Sequence, residues 1–178
     1  MEMSNSELKK EIDFLDEDAQ DFIAAVGHNL AERQAVDVIL NRIMLQIAEF
    51  MGAEAASIFV VDQSTDDLVL TYATGEVRDK VVGLRLESGK GVVGWVVKHG
   101  EDLIVPYPGL DVRFFDGVDE RTGFSTRSIL CGPMRLNGHT LGAIEVLNKR
   151  DGTFNDDDLV VLRAIARLVA KYLLTTGA

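Results

Sequence analysis

One cysteine, Cys131, stands in a chain of 178 residues. It has no partner for an internal disulfide, cannot build a multi-cysteine zinc site, and leaves no second thiol to resolve an oxidised one, which sets thiol-relay chemistry aside. Cations are also scarce. Lys and Arg number 18 against 29 Asp and Glu, the formal net charge is -11, and no basic cluster breaks the acidic background. A nucleic-acid partner needs clustered Lys and Arg to displace condensed counterions, so none is expected. No apolar run approaches the roughly 20 residues that span a bilayer. The beginning, MEMSNSELKKEI, lacks the uninterrupted apolar core of a signal peptide. No membrane partner is therefore expected, and the expected location is the cytoplasm. Internal repeats and low-complexity tracts are absent.

What is present is a 47% hydrophobic composition, enough for one ordinary domain with an appendage. Leu8, Ile12, Leu15, Ala19, Phe22 and Val26 alternate four and three apart, the 3.5-residue period of a coiled-coil seam. Residues 1–32 are expected to form one coiled-coil-like helix seeking a partner, and residues 33–178 the domain itself. A second helical stripe runs from Val36 through Ile39, Leu40, Ile43, Met44 and Ile47 to Met51, ending at Gly52. The period then changes. Residues 55–61 (AASIFVV) and 68–74 (LVLTYAT) predict a hairpin across DQSTDD, and a third strand is expected near 82–86. GKGVVGWVVKHG reads as a tight turn opening a short helix, and DLIV as a fourth strand. Residues 106–124 predict a long structured loop carrying a short helix, a length that is usually functional or disordered. Residues 127–136 and 140–148 predict the last two strands, joined through Asn137-Gly138, a strong hairpin signal. Asn155 predicts the N-cap of a final helix with Asp156, Asp157 and Asp158 in its first turn. The order implies an α+β fold: an antiparallel sheet of about six strands with helices at both ends of the chain.

Three stretches, GKGVVGWVVKHGEDLIV, DVRFFDGVDERTGFSTRSILCGPM and LGAIEVLNKRDGTFNDDDL, come in the order of the GAF domain. Over about residues 35–174 the chain resembles the regulatory GAF domains of cyclic-nucleotide phosphodiesterases and adenylate cyclases. The family's motif of Asn-Lys, Phe and Asp-Glu is matched by Asn148, Lys149, Phe154 and Asp158, with Leu159 in place of the glutamate. The resemblance implies terminal helices on one face of the sheet and a short helix plus long loop covering a ligand pocket on the other. It also implies that Lys149 and Asp158 pair as a brace above Phe154, tying the last strand to the last helix.

The family's ligand-facing positions fall on Ser57, Thr74, Phe114, Thr122, Thr126 and Glu145. Each has an ordinary structural reading beside the functional one: small strand residue, lid hydrophobe, turn former, outward strand residue. A phosphate would be held by backbone N–H groups at a short helix's positive end. Where cGMP-binding relatives place Phe and a base-reading Asp before a glycine, this chain has Ala73 and Thr74 before Gly75, which disfavours cGMP because a hydroxyl discriminates guanine poorly. Cyclic AMP, another small planar ligand, or no ligand stay open. The expected positions of His28, His99 and His139 at a helix junction, a helix end and a hairpin speak against haem or iron, and no cofactor is expected. Cys131 is expected to be a core thiol, and one cysteine falls short of the several that the fold's sulfoxide reductases use. The resemblance implies a non-enzymatic sensory domain binding a small molecule and signalling through its terminal helices to an output domain or signalling partner. The alternative is a ligand-free dimerisation module, and in either case the two helical seams imply a homodimer through the terminal helices.

Overall fold

The computed structural model describes residues 3–177. Its elements in chain order are α1 (Asn5–Asp13), α2 (Glu17–Leu30), α3 (Val36–Phe50), β1 (Ala53–Val61), β2 (Leu68–Ala73), α4 (Arg78–Val81), β3 (Arg85–Leu86), α5 (Gly91–His99), β4 (Leu103–Val105), a 3-10 turn (Pro108–Leu110), α6 (Gly117–Thr122), β5 (Ile129–Leu136), β6 (His139–Lys149) and α7 (Asp156–Thr176). The strands form one antiparallel sheet in the order β3-β2-β1-β6-β5-β4. The β5–β6 hairpin turns through Asn137 and Gly138, both at positive φ, as a tight two-residue hairpin requires. Both faces of the sheet are covered. That is why β1 reads as an almost continuous apolar run rather than an alternating one: Ile58 points to one layer and Phe59 to the other.

On one face, α3 and α7 bury Ile39, Ile43, Ile47, Leu162, Ile165 and Val169 against Ile58, Leu130 and Ile144 of the sheet. On the other, α4, α5, α6 and the segment between β4 and β5 lie over a second apolar layer that includes Phe59, Leu70, Val96, Ile129 and Cys131. The capping expected at Asn155 is present in full. Its Oδ1 accepts from the Asp158 amide at 2.9 Å, and Asp158 Oδ2 accepts from the Asn155 amide at 3.0 Å.

The single N-terminal helix expected from the heptad seam is instead two helices. Asp16 takes an extended conformation and its side chain accepts from the Ala19 amide at 2.9 Å, so it caps a new helix and breaks the old one. The seam nonetheless finds a partner, within the same chain: Leu8, Leu15, Ala19 and Val26 join the core layer of α3 and α7, and Phe22 stacks on Phe50 with ring centroids 4.2 Å apart. The third strand is also shorter than expected, because residues 82–84 form the turn that leaves α4, with the Leu84 amide bonded to the Val81 carbonyl, and the strand starts only at Arg85.

Candidate functional site

A cavity of about 90 Å³ opens between the β1–β2–β6 floor and a roof made by α4, the start of α5, α6 and the Phe114–Phe115 stretch. Most of its wall is apolar. Two of the polar exceptions meet on one row of the sheet, where Ser57 of β1 lies in register with Glu145 of β6. Neither side chain has a hydrogen-bond partner among the described residues. Glu145 is deep in the molecule, and the surface it keeps faces the cavity. Burial, with a smaller contribution from Asp119, raises its pKa to about 7. On its other side stands Cys131, whose buried thiol is pushed well above its usual range by desolvation and then by Glu145 and Asp102.

Asp119 of α6 also lines the cavity, but its carboxylate is fully engaged. Oδ2 accepts from the Thr126 amide at 2.6 Å and Oδ1 from the Thr126 hydroxyl at 2.8 Å. The pair ties α6 to the strand that follows. At the roof, α5 starts at Gly91 without a side-chain cap, and its first bond runs from the Gly94 amide to the Lys90 carbonyl at 3.2 Å. The amides of Gly91, Val92 and Val93 are thus unfilled donors of a helix N-terminus, and all three residues line the cavity. A polar hollow of about 420 Å³ adjoins the cavity, shares Val77 and Phe124 with it, and is lined by Glu54, Glu76, Arg127 and Arg150.

Of the six ligand-facing positions expected from the sequence, Ser57, Thr74, Phe114, Thr126 and Glu145 come together around this cavity. Thr122 does not. Its hydroxyl donates to the Val118 carbonyl at 2.8 Å and accepts from the Phe124 amide at 3.2 Å, so it closes the end of α6 rather than facing a ligand. Thr74 reaches the wall with its hydroxyl occupied, accepting from the Ala56 amide at 2.9 Å. Sequence reasoning missed Asp119, Phe115 and Phe124. Four acids crowd residues 111–120, and no period distinguishes the one turned inward. None of the three histidines lines the cavity, and the described residues contain no cluster of His, Cys, Asp and Glu suited to a metal ion.

At the end of β6 the brace implied by the resemblance is formed. Lys149 Nζ donates to Asp158 Oδ2 at 2.5 Å, above a buried Phe154 ring. Asn148, completely buried and at φ 60°, does more than precede it. Its Oδ1 accepts from the Arg127 amide at 2.6 Å, and its Nδ2 donates to the Ser125 carbonyl and to Glu54, both at 2.8 Å. The segment carrying Phe124 and Thr126 is thereby clamped to the strand that leads into α7.

Comparison with known proteins bears on the same region. The GAF domain family matches residues 35–173. The probable 3',5'-cyclic phosphodiesterase pde-5 of Caenorhabditis elegans is 29% identical over 147 residues, 78% of this chain but 20% of that protein, so the chain spans about a fifth of the curated relative's length. Among solved structures, the GAF domain of a phosphoenolpyruvate-protein phosphotransferase from Coxiella burnetii superposes with a TM-score of 0.81 at 19% identity, covering 89% of this chain and 94% of that one. Free methionine-R-sulfoxide reductase from Neisseria meningitidis, solved with its substrate, gives 0.76 at 17% identity, covering 92% and 94%, so the same fold also serves an enzyme. With the six-stranded sheet, the roofed cavity and the Asn148–Lys149–Phe154–Asp158 corner all lying within the matched span, the chain belongs to the GAF domain family.

Proposed function

We propose that this domain is a sensory or regulatory module of a cytoplasmic signalling protein that holds a small molecule in the cavity above Ser57 and Glu145. The observation that carries the reading is a half-buried carboxyl, Glu145, beside a buried hydroxyl, Ser57, both lining the cavity and neither with a hydrogen-bond partner among the described residues. A bound molecule that supplies the missing hydrogen bonds gains about 0.5–1.5 kcal/mol from each. The phosphodiesterase likeness brings cyclic nucleotides forward as candidates. Thr74 argues against cGMP in particular, since its hydroxyl is already committed to Ala56.

Signalling follows from connectivity. A ligand entering past Val77 and Phe124 moves the roof, and the roof's exit segment is bonded to Asn148, next to the Lys149–Asp158 pair at the start of α7. A ligand that prefers one roof position shifts that equilibrium by its differential affinity and no more. Nothing in the reading calls for catalysis, and Cys131 is buried with its thiol held protonated. Titration calorimetry with cAMP and cGMP, together with native mass spectrometry of the purified chain, tests it. A small-molecule adduct or a saturable heat supports it, and a bare chain that binds nothing contradicts it.

A second reading, a homodimerisation module acting through its terminal helices, is favoured by one observation. α3 leaves Val38 and Leu45 more than half exposed and α7 leaves Leu174 half exposed. Sedimentation equilibrium of wild type and Leu45→Asp separates a dimer from a monomer.

A further inference from the structure

A second recess, of about 170 Å³, shares no lining residue with the sheet cavity. It is walled by α1, α7, the end of β5 and the turn between α5 and β4. Cations are scarce in this chain, yet three guanidinium groups, Arg135, Arg163 and Arg167, meet here against the carboxylates of Glu101 and Asp102. Two of the three are engaged. Arg163 donates from Nε and Nη2 to Asp102 Oδ2 at 2.8 and 2.6 Å and from Nη1 to Glu11, so that it braces α7 to α1 and to the start of β4. Arg167 Nη1 donates to the Met3 carbonyl at 2.8 Å.

Arg135 is different. Its side chain has no hydrogen bond or ion pair among the described residues, and its Nε is sealed from solvent without an acceptor. The guanidinium sits on Gly100, the left-handed cap of α5, where an added Cβ would lie 2.6 Å from Nη1. A helix's negative end tolerates a cation there but leaves the fork of donors without a partner. Buried donors are ordinarily paired. The acids of the recess do not supply the partner: Asp102 is taken by Arg163, and Glu101 is exposed.

We propose that this recess is a separate anion site, which takes a small molecule bearing a phosphate or carboxylate group and seats that oxyanion on the Arg135 guanidinium, with Arg167 as the second cation. The site stands whether or not the sheet cavity holds a ligand. A planar fork of donors matches an oxyanion in a way that a lysine ammonium does not. Size sets the rest of the class: one water fills roughly 10–15 Å³ of such space, so 170 Å³ seats a molecule of about ten non-hydrogen atoms. Because α1 and α7 form part of the wall, an anion on Arg135 adds a bridge from β5 to the terminal helices.

The test is an amide-resolved NMR titration of the full chain with pyrophosphate and, separately, with succinate, at an ionic strength held constant with sodium chloride so that general screening does not change. Saturable shifts are expected at the amides of residues 100–102, 135 and 163–167 with one probe or both; pyrophosphate alone assigns a phosphate ligand and succinate alone a carboxylate. Arg135→Gln is expected to weaken the binding by at least about tenfold, the loss of a charge-assisted pair. Arg135→Lys, which keeps the charge and loses the fork, is expected to bind more weakly than wild type and better than Arg135→Gln. Ser57→Phe, altered in the sheet cavity, is expected to bind as wild type does. Absence of saturable shifts from both probes overturns the proposal, as do shifts that centre on the sheet cavity or that persist undiminished in Arg135→Gln. None of these results bears on whether the sheet cavity takes a ligand.

Discussion

Glu145 is the residue at which burial and chemistry conflict most sharply. Its carboxyl titrates in an ordinary range when unfolded and about pH 7 in the fold, so the native state holds a proton the unfolded state has released. The sign follows directly: the stability contributed by the protonated carboxyl is complete below the unfolded value of 4.5 and is lost as pH rises through about 7. Denaturant titrations should show wild type losing ground to Glu145→Gln between pH 4.5 and 7, by up to about 3 kcal/mol; a difference independent of pH would mean the carboxyl is solvated. Lys149 and Asp158 are the second case. Their side chains are 19% and 12% exposed, so the pair is screened less than a surface bridge. A double-mutant cycle with alanine should give a coupling of about 1 kcal/mol or more, and a coupling indistinguishable from zero removes the brace. The sequence motif led to this pair because its spacing is local, nine residues across one corner. Asn148 was legible only as a motif letter. Its left-handed backbone and its bonds to Ser125, Arg127 and Glu54 reach 21 to 94 residues away, and no local pattern encodes them.

Secondary elements were mostly readable because their signals are periodic or local: the α3 stripe, the Asn137-Gly138 turn and the Asn155 cap all recur where expected. The seam of the first helices was readable as to face but not as to continuity. A heptad pattern does not register that Asp16 competes for a backbone amide, whereas the fold does. Its burial changes what a truncation would do. Removing residues 1–30 would uncover α7 and α3 rather than free an independent appendage, so urea unfolding of the shortened chain should begin at markedly lower denaturant. Retention of full stability would mean that these helices do not dock on their own chain. In α5 the critical position is Gly94, where an added Cβ would lie 2.5 Å from the Gly89 carbonyl carbon. Gly94→Ala should push the helix start away from its own turn, costing about 1–3 kcal/mol and disturbing the cavity's amide end. A well-folded variant with unchanged stability would show that this turn yields freely. The roof loop is held down elsewhere, by an Arg113–Asp111 fork lying over Trp95 with the guanidinium carbon 4.8 Å from the ring centroid. Nothing in the run of Pro, Gly and Asp announces that anchor.

At the scale of the whole molecule, the division of labour is between the two faces of one sheet. The helical face holds the large apolar core with α1, α2, α3 and α7; the other holds a smaller layer hollowed by a cavity. No helix among the described residues is long and apolar enough to cross a membrane. The candidate site is the hollow, and the corner at Asn148 and Lys149 is where the two faces are tied. The most direct measurement is native mass spectrometry of the chain after incubation with the soluble small molecules of a cell extract, run beside Ser57→Phe, in which the new ring fills the space above Glu145. A sensor built on this cavity predicts a one-to-one, non-covalent small-molecule adduct on wild type that is absent from Ser57→Phe. Bare mass in both spectra, or the same adduct in both, would contradict it.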